Sequence, residues 1–352
     1  MRWLKRIGNG LALIVVLTSA FIGFCAFSYW NDMRIDTSTG VNEAGYVNIG
    51  GIEQWVQIRG RDRNNPVLLW LNGGPGFSQI PITYFYRSWE RHFTVVMWDP
   101  RGQGKTFARS GTSVKDTMTL NQFTSDGIDV VEHLRKRLGK DKVVLLGHSF
   151  GSIVGVHMVH ERPDLFWAYV GTGQVTHLEK QIEFAYPLLI ERARKIGNKT
   201  AEAQLIGAGP PPYSSEDPAK WVEIGWANQL DPPPKRALPK PGELWLIMPL
   251  LLAGPRGAPA DAQFSQETMW DEMLADDLSA LGLKFELPVV MIEGSEDLVT
   301  PSKLARDFFD AIDAPSKEFV SLEGAGHLAL INEPDLFQEN LVRHLSPLAG
   351  GG

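Results

Sequence analysis

Val143-Val144-Leu145-Leu146-Gly147-His148-Ser149-Phe150-Gly151 joins four consecutive apolar residues to a Gly-x-Ser-x-Gly pattern. The apolar run predicts a buried strand, and the run from Phe150 to His160, closed by Glu161-Arg162-Pro163, predicts a helix. The serine then falls on a strand-to-helix turn, the setting of a nucleophile elbow. In such an elbow the serine backbone is strained and its neighbours must be small, which Gly147 and Gly151 satisfy. The turn lifts the Ser149 hydroxyl above the sheet edge and aims the Phe150 N–H at the same point, giving a nucleophile and half of an oxyanion hole. Gly-x-Ser-x-Gly alone is a weak signal, because both residue types are common in turns. The strand before it and the helix after it give it weight.

Upstream, Tyr46–Ile49 and Ile52–Ile58 flank Gly50-Gly51 and predict a hairpin, since a two-residue turn of this kind needs positive φ at both positions. Pro66–Leu71 predicts a buried strand running into Asn72-Gly73-Gly74-Pro75-Gly76. With almost no side chains there, backbone N–H groups can converge, and Gly74 is the expected second oxyanion donor. Taken alone this loop would be read as an ordinary glycine turn. His92–Trp98 predicts the next strand, followed by Asp99-Pro100-Arg101-Gly102-Gln103-Gly104-Lys105-Thr106. Gly104-Lys105-Thr106 is not a phosphate-binding loop, because the glycine required five positions before Gly104 is Asp99. Asp99 and Arg101 are expected to brace the loop. Thr119-Leu120-Asn121-Gln122 is a capping box that opens a helix with Phe123, Gly127, Val130, Leu134 and Leu138 on one face, closed by Gly139. This order of elements describes a mostly parallel sheet covered on both faces, an α/β fold.

Composition sets the outer limits. A chain of 352 residues with 43% hydrophobic and 21% charged residues suits one large globular domain with an insertion. A net charge of −7 without long charged blocks argues against nucleic acid as a partner. Cys25 is the only cysteine and says nothing about redox compartment. The N-terminus says more: Arg2, Lys5 and Arg6 precede an uncharged run from Ile7 to Trp30, long enough to cross a bilayer as a helix. Basic residues on its N-terminal side place that end in the cytoplasm and the remainder outside, with Tyr29 and Trp30 at the outer interface. A cleaved signal peptide is the competing reading, although no small-x-small site closes the run cleanly. The expected organisation is a membrane anchor over 1–30, a linker over 31–44, the core in two parts (45–173 and 285–348), and a helical insertion over 174–284 that covers the site as a lid.

The chain resembles the α/β-hydrolases, and among them the proline iminopeptidase branch of serine peptidases. Asn72-Gly73-Gly74-Pro75-Gly76 matches that branch's His-Gly-Gly-Pro-Gly, and Asp99-Pro100-Arg101-Gly102-Gln103-Gly104 its Asp-x-Arg-Gly-x-Gly. Two departures are Asn72 in place of the histidine and His148-Ser149-Phe150 in place of Gly-Ser-Trp. The resemblance implies an inserted lid whose carboxylates hold the substrate's free amino group, for which Glu179, Glu183, Glu191, Glu223 and Glu243 are available. The insertion is broken by Pro210-Pro211-Pro212 and Pro232-Pro233-Pro234, and its Trp221, Trp226, Trp245 and Trp270 either line a pocket or pack the insertion onto the core.

At and just past the end of Leu287–Gly294, the next buried strand, lie three acids, Glu293, Glu296 and Asp297, near the sheet end that carries the elbow. The resemblance favours Asp297, which fits the family's Gly-x-x-Asp pattern. After the last strand, Glu318–Leu322, Gly324-Ala325-Gly326 leads to His327; the other late histidine, His344, falls in the terminal helix pattern. Ser149, Asp297 and His327 follow the chain order that this fold uses. His327 would take the Ser149 proton as the hydroxyl attacks an acyl carbonyl, and Asp297 would hold the imidazole tautomer. No metal or organic cofactor is required. His148 is given a positioning role at most. The expected activity is an aminopeptidase acting on a small-molecule or short-peptide substrate; an esterase of small acyl esters and a catalytically silent binding module are the alternatives.

Overall fold

The structure is a computed structural model that describes residues 2–214, 216–233, 240–246 and 259–349. Its centre is an eight-stranded sheet in the order β1-β2-β4-β3-β5-β6-β7-β8. The strands are β1 (Val41–Ile49), β2 (Ile52–Gly60), β3 (Val67–Leu71), β4 (Thr94–Asp99), β5 (Val143–His148), β6 (Phe166–Thr172), β7 (Val289–Gly294) and β8 (Lys317–Leu322). β2 is antiparallel to both β1 and β4, and every other pairing is parallel. The predicted Gly50-Gly51 turn is present, with φ of 52° and 80°.

The parallel strands are buried on both faces, which is why they read as unbroken apolar runs. Alternation still divides them: Val67, Leu69, Val143 and Leu145 face one core, whereas Leu68, Trp70, Val144 and Leu146 face the other. The first core is covered by α3 (Leu120–Leu138), α4 (Phe150–Glu161) and α10 (Ser302–Ala311). The second is covered by α12 (Pro334–Ala349), whose Phe337, Leu341 and Leu345 recur every four residues, with help from Trp89 and Tyr86. α3 starts and stops where its caps predict: the Thr119 hydroxyl accepts the Gln122 N–H at 3.1 Å, and Gly139 is left-handed at φ 64°. α2 (Gly104–Ser110) begins at the glycine-lysine-threonine stretch, and α11 (Ala329–Asn332) follows the last strand's loop.

Between β6 and β7 the chain inserts α5 (Leu178–Lys195), α6 (Lys199–Ala208), α7 (Ala219–Leu230), α8 (241–246) and α9 (Ala260–Ala275). Pro210-Pro211-Pro212 separates α6 from α7 as expected, and Pro232-Pro233 follows α7; Pro234 and part of the expected 174–284 insertion lie outside the described residues.

At the N-terminus α1 (Arg2–Met33) contains a 25-residue apolar stretch, Asn9–Met33, with a mean hydropathy of 2.4 over its most apolar window. At 1.5 Å per residue this spans about 37 Å, enough to cross a bilayer. α1 continues past Trp30 into the expected linker, and β1 begins before Ala44. The carbonyls at the end of α1 explain the extension: those of Met33 and Asp32 accept from Arg59 (2.7 Å) and Arg61 (2.9 Å), which supply partners that a helix end otherwise lacks. Tyr29 stacks on Tyr84 with ring centres 5.3 Å apart, and the neighbouring Trp30 is exposed.

Candidate active site

Ser149 sits between β5 and α4 with φ 53° and ψ −124°, the only non-glycine residue with positive φ among the described residues. This is the strain an elbow requires. A side chain at Gly147 would lie 2.7 Å from the Gly151 carbonyl, and one at Gly151 would run into the backbone of Leu71, so both flanking glycines are sterically obligatory. The Phe150 N–H opens α4, where the helix dipole favours negative charge. Gly74, Ser149 and Phe150 all line one cavity. Gly73 packs against the elbow, since a side chain there would approach Ser149 Cβ to 3.0 Å. Asn72, in the place of the histidine, donates to the Trp98 carbonyl at 3.0 Å and so ties the ends of β3 and β4 together.

His327 and Asp297 meet. His327 Nδ1 lies 2.9 Å from Asp297 Oδ2, and the Thr300 hydroxyl donates to the same oxygen at 2.8 Å while standing 3.0 Å from Nδ1. The other Asp297 oxygen accepts the N–H groups of Val299 (2.8 Å) and Thr300 (2.7 Å). With Nδ1–H directed at the carboxylate, Nε2 keeps its lone pair for a proton. The serine and the imidazole share the Thr172–Gly173 turn: the Ser149 N–H donates to the Thr172 carbonyl at 3.1 Å, and a side chain at Gly173 would come within 2.8 Å of His327 Cε1. Among the described residues no hydrogen bond joins the Ser149 hydroxyl to His327, a contact that often tightens only when substrate is bound. Burial pulls the pKa of His327 down, but the charge and hydrogen bond of Asp297, helped by Asp231 and Glu293, outweigh it and the net shift is upward.

The rival acids are elsewhere. Glu296 is exposed and pairs with Arg192 at 3.7 Å. Glu293 is fully buried beneath the Gly173-Gln174 turn, where it accepts the Gln174 N–H at 3.3 Å; burial and the nearby Asp297 push its pKa up to about 8. His344 lies within α12. Asp99 and Arg101 brace their loop as expected: Asp99 accepts the Lys105 N–H at 2.9 Å, and Arg101 forms a two-pronged pair with Asp126 at 2.7 and 3.1 Å. Asp261 accepts the Gly104 N–H at 2.9 Å, so carboxylates stand where a phosphate-binding loop would need an anion.

The family model for the alpha/beta hydrolase fold matches residues 66–334. This chain belongs to the α/β-hydrolase family. It is 30% identical over 314 residues to the probable aminopeptidase YbaC of Bacillus subtilis, covering 85% of this chain and 94% of that one. A proline iminopeptidase of Saccharolobus solfataricus is 34% identical over 119 residues, 32% of this chain and 35% of that protein. The crystal structure of a proline iminopeptidase-related protein from Thermus thermophilus superposes with a TM-score of 0.63 at 22% identity, covering 88% of this chain and 99% of that one. The chain is thus a proline iminopeptidase-like α/β-hydrolase.

The cavity of this α/β-hydrolase has a volume of about 100 Å³ and is lined by the elbow, the Leu298–Thr300 loop and the inserted helices. Ile153, Val175, Ile182, Ile224 and Met273 make it apolar. Trp221 and Trp270 line it 5.9 Å apart, whereas Trp226 bonds Gln204 on α6 and packs the insertion together. Of the five glutamates the family resemblance offered, Glu223 lines the cavity. It accepts the Tyr213 hydroxyl at 2.7 Å, and burial raises its pKa to about 7. Glu243 is buried at the start of α8, where it accepts the Lys240 N–H; Glu183 and Glu191 are exposed, and Glu179 does not reach the cavity.

Two residues around the site, Thr300 and Asp231, carry no sequence signature, and His148 of the elbow motif joins them in bracing it. Thr300 stands between the acid and the imidazole. Asp231, just past α7, accepts the N–H groups of His327 (2.8 Å) and Leu298 (3.1 Å). His148, next to the serine, donates Nε2–H to the His327 carbonyl at 3.2 Å, and burial first and His327 second lower its pKa to about 3, so it stays neutral.

Proposed function

We propose that this α/β-hydrolase is a membrane-anchored serine aminopeptidase that releases N-terminal residues through an acyl-enzyme on Ser149. The reading is supported by the Asp297–His327 pair, 2.9 Å apart, together with a strained serine that lines an apolar cavity holding one buried carboxylate. His327 Nε2 removes the Ser149 proton as Oγ bonds to the carbonyl carbon. The N–H groups of Phe150 and Gly74 receive the oxyanion, and each such donor is typically worth about 3 kcal/mol in the barrier. The proton passes to the leaving amine as the C–N bond breaks. Water, deprotonated by the same imidazole, then releases the acyl group and restores the serine.

Glu223 is the candidate partner for the substrate's ammonium group. It lies in the insertion, 174–284, which acts as a lid on the two-part core, 45–173 and 285–348. α1 anchors the chain with its N-terminus in the cytoplasm and the catalytic domain outside.

Fluorophosphonate labelling of the full chain tests the nucleophile: an adduct on Ser149 is expected, and its absence in folded protein would leave only a silent binding module. An N-terminal aminoacyl-β-naphthylamide and its N-acetyl form test the amine. Equal turnover of the two sinks the aminopeptidase reading. The apolar remainder of the cavity, with no second carboxylate lining it among the described residues, favours an esterase as the second reading. Faster turnover of p-nitrophenyl esters than of any free-amine amide would select it.

A further inference from the structure

The end of α1 is seated on the catalytic domain, and its direction can be followed. The Met33 carbonyl is held by Arg59, which stands opposite Val95 at the start of β4, the sheet end away from Ser149. Toward the N-terminus, the Asp32 carboxylate receives the Tyr84 hydroxyl and pairs with Arg87 at 3.5 Å, and Tyr29 stacks on Tyr84. Tyr84 belongs to the short turn Ile80–Tyr86 that follows the glycine loop, and its ring lies against Gly242 of α8. One turn further, Cys25 has no exposed surface. α1 therefore climbs from the strand-start end of the sheet to the inserted helices at the site end.

From Cys25 back to Asn9 the helix continues for about 24 Å at 1.5 Å per residue, and its large apolar side chains from Leu11 to Leu17 are more than half exposed. A second observation concerns the large hydrophobic residues exposed elsewhere. Phe77 follows the glycine loop, Leu328 follows His327, Leu336 opens α12, and Phe184, Ile196 and Ile206 lie on or at the ends of α5 and α6. Only Leu281 and Leu283, among the described residues, lie at the strand-start end. Exposed apolar residues scattered singly are ordinary; what bears on the membrane is their bias toward the end of the domain to which α1 climbs.

We propose that the face around the cavity mouth rests on the phospholipid bilayer that α1 crosses, so that substrate reaches Ser149 from the membrane interface. This rests on the anchor reading above. The seat at Tyr84 and Asp32 keeps the domain from turning its opposite end to the lipid. A substrate with an apolar part partitioned into the membrane is then concentrated at the cavity.

The test uses the full chain in nanodiscs of phosphatidylcholine and phosphatidylglycerol containing headgroup-nitroxide lipid. Cys25, being buried, can remain, and Phe184→Cys, Ile206→Cys and Leu281→Cys each carry a fluorophore at an exposed position that does not threaten folding. Quenching several-fold stronger at 184 and 206 than at 281 is the expected result. Equal quenching, or stronger quenching at 281, in protein that resists alkaline carbonate extraction overturns the orientation alone. Release of the full chain from membranes by carbonate overturns the anchor and the orientation together.

Discussion

The Asp231 carboxylate bridges the two loops that bear Asp297 and His327: Oδ2 accepts the His327 N–H at 2.8 Å and Oδ1 the Leu298 N–H at 3.1 Å. Gly326 is part of the same arrangement, because a side chain there would collide with that carboxylate. A residue of the insertion thereby sets the height of both loops over the sheet. Its negative charge also faces His327, while burial and the nearby Asp297 push its own pKa up to about 6.

Asp231→Asn turns one of two acceptors into a donor facing an N–H. Leaving a buried N–H unpaired costs about 1–3 kcal/mol, so kcat is expected to fall by about tenfold or more. Loss of the charge lowers the pKa of His327, and the acid limb of kcat/KM, which reports the neutral base, moves to lower pH. A loss of thermal stability with an unmoved pH profile would show Asp231 to be a structural clasp only.

Asp297→Asn leaves the shape of the acid loop nearly intact but offers Nδ1 a donor or a poorer acceptor. The imidazole then favours the tautomer that cannot take the serine proton, a change that lowers kcat by about ten-thousand-fold in serine proteases. Glu296→Gln, at an exposed position paired with Arg192, is expected to change kcat less than twofold, within the small effects of surface ion pairs. Steady-state rates of the two variants decide between the acids, and comparable losses in both would remove Asp297 from the role.

The parts of the site that were readable in the sequence are those fixed by local backbone demands. Gly147, Gly151 and the loop Gly73–Gly76 announce close approach, and Asp297 and His327 each follow a strand that the apolar pattern reveals. Thr300 and Tyr213 bond to Asp297 and Glu223 nearby in the chain but through side-chain contacts that no motif marks, and Asp231 acts through placement across the fold. Asp231 is 96 residues from the His327 N–H it accepts, and no local pattern encodes such a distance. The same holds for the contact of Tyr29 with Tyr84, 55 positions later, which no local pattern announces. Within the insertion, the one stripe that α7 buries, Lys220, Glu223, Ala227 and Leu230, mixes charged with apolar residues, so hydrophobic periodicity could not say which glutamate turns inward.

Glu293 links pH to stability. Its pKa in the folded protein is raised to about 8 by burial first and Asp297 second, above the ordinary carboxyl value of 4.5. Between these values the folded state holds a proton that the unfolded chain has released, so stability falls as pH rises through this window. Glu293→Gln keeps an acceptor for the Gln174 N–H and removes the titration. Thermal unfolding from pH 5 to 9 should show a flatter profile for the variant, with its Tm gaining on the parent above pH 7. A parallel pair of curves would mean that Glu293 is ionised in both states.

In the proposed reaction Glu223 distinguishes recognition of the amine from that of the acyl group. A free N-terminal ammonium beside it would keep the carboxylate charged, and without such a partner burial leaves its pKa near 7. Removing a buried charged partner is worth about 2–3 kcal/mol for a charge-assisted hydrogen bond. Glu223→Gln is therefore expected to lower kcat/KM for an aminoacyl-β-naphthylamide by about thirty- to a hundred-fold. The p-nitrophenyl ester of a small acid, which makes no such contact, should be turned over within about threefold of the parent. Tyr213→Phe removes the hydroxyl that stabilises the charged form, so Glu223 ionises at higher pH and the amide reaction of this variant should gain an acid limb displaced upward. Equal losses on amide and ester in Glu223→Gln would instead assign the carboxylate to holding the cavity together.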